Sequence, residues 1–483
     1  MVMKRRDALL TTLFGTGYVG LRALATGLPA WYIANPRRAN AQNLSCAITA
    51  QQNMQYLILS TNFNGDPINC NCPGTYEDTT IIHPTQEEVE KTTVTLGSQS
   101  YGAALPWGAT TVKSSGGNNT GQLKAMTQFG GATLLSRASF FHHMTGSTVH
   151  GDQPKVMKLM GKTSGNEMII SAYAKFLAPC FGTVQAEPIA LGAGQNGSEI
   201  LTYSGRALTS VSPTQLKQLL TGSKTDPLVK LRTVRDSTID QLNKLAKSSG
   251  NMAQQAFLDA MALSQTQVRA LSSSLATTLN SISSDNVAGQ ASAAAALFAA
   301  NVTPAVSVRL AFGGDNHSDS NLQNEADQHV SGVQGLQSIM DALSMQMDAN
   351  GNNLLDRVTF ATLNVFGRNL NGISKTTSRA GRDHYGNHAV MVMVGKNIKP
   401  SVIGGVTTVN GAGQAAAIDS STGLPATSST AAANNIPNSM THVAAARTLG
   451  VALGIPAATL DSAFISSAST GKVVNAALSG VSG

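Results

Sequence analysis

Five short apolar runs constrain this chain more than any other feature: "YLILST" (56–61), "ATLLSRASFF" (132–141), "AVSVRLAF" (305–312), "RVTFATLN" (357–364) and "HAVMVMVG" (388–395). Gly, Asn or Asp follows most of them, so they read as strands closed by turns. Their apolarity is near-continuous rather than alternating. A strand with one wet face alternates, whereas a strand buried on both faces does not, so the runs point to a mainly parallel sheet. Helical stretches lie between them. In "QHVSGVQGLQSIMDALSMQMD" (328–348), Val330, Val333, Leu336, Ile339, Met340 and Leu343 recur with a helix period. Strand, helix, strand in that order gives the α/β class.

Two segments stand outside this rhythm. Residues 213–300 read as a helical insertion over the sheet, with Asp226 and Pro227 as one helix start. Residues 404–437, rich in Gly, Ala, Ser, Thr and Asn, read as a long loop or hairpin. The rest of 42–483 forms one domain.

The amino terminus reads as a leader. Arg5-Arg6 precedes a mildly apolar stretch, and Ala39-Asn40-Ala41 is a small-residue cleavage site, which puts the mature start at Gln42. Residues 1–41 would then be a twin-arginine signal peptide, with the export machinery and signal peptidase as partners and a periplasmic or secreted product. Arg22, Pro29 and Pro36 interrupt the apolar run, and no later run suits a span of about 20 apolar residues, so no stable membrane span is expected after cleavage. The formal charge of +7 belongs largely to this leader, which holds six basic residues and one acid; the remainder carries 27 Lys+Arg and 25 Asp+Glu. The charge is therefore no argument for nucleic acid, and no nucleic-acid-binding motif is present. The four cysteines, Cys46, Cys70, Cys72 and Cys180, suggest disulfides in an oxidising compartment, and spacing leaves all three pairings open.

In open α/β sheets, ligands bind beyond the carboxyl ends of the strands. Here those ends deliver Asp66, then His142, His143, Ser147, Thr148 and His150, then Asp315, His317 and Asp319, then Asn364 and Arg368. "GRDHYGNH" (381–388) adds Asp383, His384 and His388 in the loop leading into a strand. That loop reaches the same edge only if the chain crosses over before it. Asp315, His317, Asp383, His384 and His388 make an N/O donor set suited to a divalent ion, zinc first, with calcium, magnesium and manganese as other candidates. The competing reading is a set of polar turns. "DANGNNLLD" (348–356) imitates a calcium loop but lacks its Gly and Glu, and reads as a helix-to-strand turn. Ser147 and Thr148 are candidate nucleophiles beside a metal.

Three segments resemble one family. "FGGDNHSDS" is similar to the "GGWDTH" segment of the exported bacterial proteins called the domain of unknown function 1501 family. "LLDRVTFATLNVFGRNLN" resembles its "LLD-strand-SEFGR" segment, and "GRDHYGNHAVMVMVGKNIKPSVIGG" its "GRDHW" segment. The resemblance implies kinship with sulfatases and alkaline phosphatases: a three-layer α/β/α sandwich with one or two metals at the strand ends. It implies Asp66 as the first metal-site Asp, Asp315 with His317 as the middle pair, and Asp383 with His384 as the late pair. One departure is plain. Val365 stands where the family carries Glu, and Val cannot ligate a cation.

The expected function is an exported, metal-dependent hydrolase of phosphate or sulfate esters, with Arg368 or Arg382 holding the anionic ester. The alternative is a non-catalytic envelope or secreted protein that keeps the fold and at most one structural metal.

Overall fold

The computed structural model describes residues 53–108, 133–183, 185–192, 200–221, 232–252, 278–310, 312, 314–348, 350–372, 381–465 and 472–480, with Cys46 and a few positions between 254 and 262. The leader, its cleavage site and the Asp226–Pro227 helix start lie outside these residues. Among the described residues no helix is long and apolar enough to cross a membrane.

All five apolar runs form strands of one seven-stranded sheet. We number its strands β1 (Tyr56–Ser60), β2 (Ala138–His143), β3 (Ile189–Ala190), β4 (Ala305–Val308), β5 (Val358–Thr362), β6 (Ala389–Val394) and β7 (Ser401–Ile403). Their order across the sheet is β7-β2-β6-β5-β1-β4-β3. Four of the six pairings are parallel. The two made by β6 are antiparallel, with Ala389 opposite His143 and Val394 opposite Phe360. β6 therefore runs against every other strand.

The near-continuous apolarity has the expected cause, burial on both faces. Tyr56 and Ile58 of β1 join one core cluster, with Val306 of β4 and Val390, Val392 and Val394 of β6. Leu57 and Leu59 join a second, with Met391 and Met393. Four helices supply most of the covering: α1 (Ile169–Phe181), α2 (Val287–Ala299), α3 (Gln323–Ser344) and α4 (Thr441–Ala452). Residues of α2 and α3 lie in the first cluster, and residues of α1 and α4 in the second. All twelve residues of α4 are buried, the polar Thr441, His442, Arg447 and Thr448 included. α3 buries the six periodic residues expected of it. It starts five residues before the predicted 328, because Asp319 accepts from the backbone N–H groups of Asn324 (3.1 Å) and Glu325 (2.8 Å) and caps its first turn.

Within 213–300 the described helices are Pro213–Thr221, Arg232–Ser248 and α2, and α2 is a core element. The 404–437 segment holds a hairpin, Val406–Val409 with Ala412–Ala415, turning on Asn410 and Gly411, both at positive φ. A second small ladder joins Ile418–Asp419 to Asn435–Ile436. The disulfide is Cys46–Cys180; Cys70 and Cys72 are buried thiols.

Candidate metal centre

The reversed direction of β6 answers how "GRDHYGNH" reaches the carboxyl edge. No crossover is needed. The amino-terminal end of an antiparallel strand lies beside the carboxyl ends of its neighbours, so the loop before β6 meets the loops after β1, β2, β4 and β5. Two glycines let it sit there. A Cβ on Gly381 would fall 1.8 Å from the Asn316 carbonyl oxygen, and one on Gly386 would fall 2.6 Å from the Ser147 oxygen. Backbone hydrogen bonds use the space: Gly381 N–H to His317 O at 2.7 Å, and Gly146 N–H to Gly386 O at 2.9 Å. On its third side, His384–Tyr385 pairs antiparallel with Gly367–Arg368, His384 opposite Arg368. His384 is thereby wedged between the loop carrying Asp315 and His317 and the loop carrying Thr148 and His150.

Ligand atoms of His150, Asp315 and His384 all lie within 4.8 Å of one another. His317 joins them: its Nε2 is 2.9 Å from His384 Nε2 and 3.3 Å from Asp315 Oδ1. His384 Nε2 is 3.8 Å from Asp315 Oδ1. Ligands at zinc distances would stand about 3.3 Å apart, and the separations among Asp315, His317 and His384 run from 2.9 to 3.8 Å. Asp315 is 56 % exposed and Asp383 45 %, so one side of the cluster opens to solvent.

Hydrogen-bond partners fix two of the tautomers. A carbonyl only accepts, so His384 Nδ1–H donates to Thr148 O (2.8 Å) and His150 Nδ1–H to Phe63 O (2.8 Å). His317 Nδ1 faces Asp383 Oδ1 at 3.1 Å. His384 and His150 are each left with an Nε2 lone pair. His384 Nε2 lies 2.9 Å from His317 Nε2, placed either to accept its N–H or to share a cation with it. An imidazole whose far N–H is held by a carbonyl or carboxylate is the usual form of a metal-binding histidine. Burial holds the pKa of His384 down to about 4, with nearby Arg368 and the neighbouring imidazoles adding to the effect, so the ring is neutral at pH 7. The donor set therefore fits a divalent ion.

The cluster brings together Asp315, His317, Asp383 and His384 of the expected set. It does not bring in His388, which is fully buried below the edge. The Nε2 of His388 is 2.9 Å from His142 Nδ1, and His142 Nε2 bonds to Pro73 O at 2.9 Å. Asp66 is also withdrawn. Its Oδ1 accepts from Ile68 N–H (3.0 Å) and its Oδ2 from the Asn364 amide. Burial pushes its carboxyl up to about 7, against the pull of the Ile68 N–H, Arg368 and Asn364. Arg382 is fully buried, with Nε on Glu325 Oε2 (2.6 Å) and its other nitrogens on the carbonyls of Asn369, Leu370 and Ile82. It has no group left for a substrate. Arg368 is buried too, with Nη2 on Asn64 O and Gly314 O, but its Nε and Nη1 have no hydrogen-bond partner among the described residues. Ser147 donates to Asp152 Oδ2 at 2.8 Å and accepts from Val149 N–H, as a turn residue does. Thr148 is exposed, and its carbonyl is what holds His384. Val365 is fully buried in the apolar layer that contains Leu363 and Phe366, so the departure from the family's Glu is a core residue here. His150 is the member that the donor-set reading missed. Its position after β2 marked it, but its distance along the chain from the other donors hid the match.

The family model described as "Protein of unknown function (DUF1501)" matches residues 120–445, about two thirds of the chain. The chain belongs to that family. No curated protein and no solved structure matches it. The DUF1501 match takes in β2 to β7 and every residue of the cluster. Asp66 and β1 precede it.

Proposed function

We propose that this chain is an exported, metal-dependent hydrolase of phosphate or sulfate esters, built on a three-layer α/β/α sandwich of the sulfatase and alkaline phosphatase kind. The observation that carries the reading is the grouping of His150, His317 and His384 around the Asp315 carboxylate at the solvent-open end of the sheet. Nitrogen-rich donors favour zinc over calcium or magnesium, which take oxygen ligands. His150, Asp315, His317 and His384 would hold the ion, and Asp383 would orient His317. When bound, such an ion polarises an ester oxygen and makes bound water a nucleophile. Arg368, whose buried Nε and Nη1 lack hydrogen-bond partners among the described residues, would favour the anionic group. Thr148 is the better placed of the two hydroxyl candidates, since Ser147 is tied to Asp152. The disulfide suits an oxidising compartment, and the twin-arginine leader is proposed as the route there.

A second reading, a non-catalytic protein with at most one structural ion, is favoured by Val365 in the core and by the engaged Ser147. Elemental analysis and zinc titration of the chelated full chain test the metal, expected at about one ion per chain. His384→Ala and His150→Ala should lose it. A metal-free wild type whose melting ignores chelation overturns the hydrolase reading. Bound zinc with no turnover across a panel of phosphate and sulfate esters selects the second.

A further inference from the structure

We infer that Arg309, seated on the ring of Phe63, takes a second anionic group of the substrate, a carboxylate or phosphate set apart from the ester at the metal. This rests on the hydrolase reading above. Of the arginines at this edge, Arg382 is bonded throughout and Arg368 is buried. Arg309 differs from both. It is the first residue after β4, and it is partly exposed. Its backbone N–H is fixed to Gln290 Oε1 at 2.8 Å. Its guanidinium carbon lies 5.2 Å from the centroid of the Phe63 ring. Among the described residues the guanidinium has no hydrogen bond and no ion pair.

Phe63 ties that cation to the centre. Its carbonyl holds His150 Nδ1, and its ring meets the His150 imidazole edge-on at 6.0 Å between centroids. One residue thus supports a cluster imidazole on one side and a guanidinium on the other. A guanidinium lying over an aromatic face keeps its N–H fork in the plane of the group and loses less freedom when an anion docks. Carboxylate and phosphate oxygens match that fork. An ester with only one anionic group would leave it unused.

The test uses full-length, zinc-loaded protein and three probes: methylphosphonate, phosphonoacetate and 3-phosphonopropionate, titrated by calorimetry. Wild type should bind at least one of the two carboxylated phosphonates about threefold to tenfold more tightly than methylphosphonate. In Arg309→Gln the three should bind alike. Equal affinity for all three in wild type, or a preference that survives in Arg309→Gln, overturns the inference and leaves the hydrolase reading standing. A zinc-bearing chain that binds none of them overturns the hydrolase reading, and this inference with it.

Discussion

Replacing His329 by phenylalanine should make the protein more stable and less sensitive to acid. His329 lies on α3, fully buried, with its ring edge-on to Trp107 at 5.6 Å and to Phe312 at 5.9 Å. Neither ring nitrogen has a hydrogen-bond partner among the described residues. Burial alone pushes its pKa down to about 3. In the unfolded chain the same imidazole titrates near 6.5. The folded value lies below the unfolded one, so the stability linked to this group is complete above pH 6.5 and is lost as pH falls toward 3. At pH 5 the unfolded state has gained its proton and the folded state has not. The gap of about 1.5 pH units costs about 2 kcal/mol relative to pH 8, at about 1.4 kcal/mol per unit. Phenylalanine abolishes that loss and also removes an unpaired buried nitrogen, itself worth about 1–3 kcal/mol against folding. Urea unfolding of both proteins at pH 8, 6.5 and 5 measures the difference. Other buried histidines titrate in both proteins and cancel. Wild type should lose about 2 kcal/mol more than the variant between pH 8 and pH 5. Equal losses would refute the reasoning, since they would mean that His329 does not fold as a buried neutral ring.

Three further outcomes follow from the geometry. Denatured, unreduced protein from an oxidising compartment should titrate two thiols, Cys70 and Cys72, and reduction should raise the count to four; opening the Cys46–Cys180 bond, 134 residues apart in sequence, should cost about 4–5 kcal/mol. Val365→Glu should not add a second metal position but should lower stability by several kcal/mol, about the cost of an unpaired buried charge, as a melting curve will show. Gly381→Ala should force the "GRDHYGNH" loop off the Asn316 carbonyl and weaken zinc binding about tenfold or more in a competition titration.

The sheet was legible because apolar runs report burial, and burial is what a central strand demands. All five runs lie in it, and the six periodic residues of α3 are buried as their spacing requires. Strand direction was not legible. Val390 and Val392 on one face and Met391 and Met393 on the other would fit a parallel β6 as well as an antiparallel one. The two-residue β3 and the three-residue β7 are too short to carry a pattern. At the site, residue type identified most of the cluster, but residue type does not tell a ligand from its support. His388 and His384 are four residues apart, and one is a buried hydrogen-bond partner of His142 while the other faces Asp315. Arg382 and Arg368 look alike in sequence; only Glu325, reached across the fold from α3, decides that Arg382 is structural.

The same distinction bears on how many ions the proposed centre could hold. A second cation needs a second set of ligand atoms with nothing else to bind. Asp66 has both oxygens engaged, one by a backbone N–H and one by Asn364, and the raised pKa of its carboxyl marks a site that disfavours charge. Val365 contributes only apolar surface, and His388 is turned into the sheet toward His142. The atoms left over form one group: ligand atoms of His150, Asp315 and His384 within 4.8 Å of one another, with His317 Nε2 beside those of Asp315 and His384. A two-metal displacement divides the charge of attacking and leaving oxygens between two ions. A chain with one such group would have to meet part of that charge with protein donors. Arg368 has two nitrogens, Nε and Nη1, without a hydrogen-bond partner among the described residues and lies near Asp66 and Asp315, which makes it the residue on which a one-ion chemistry here would depend.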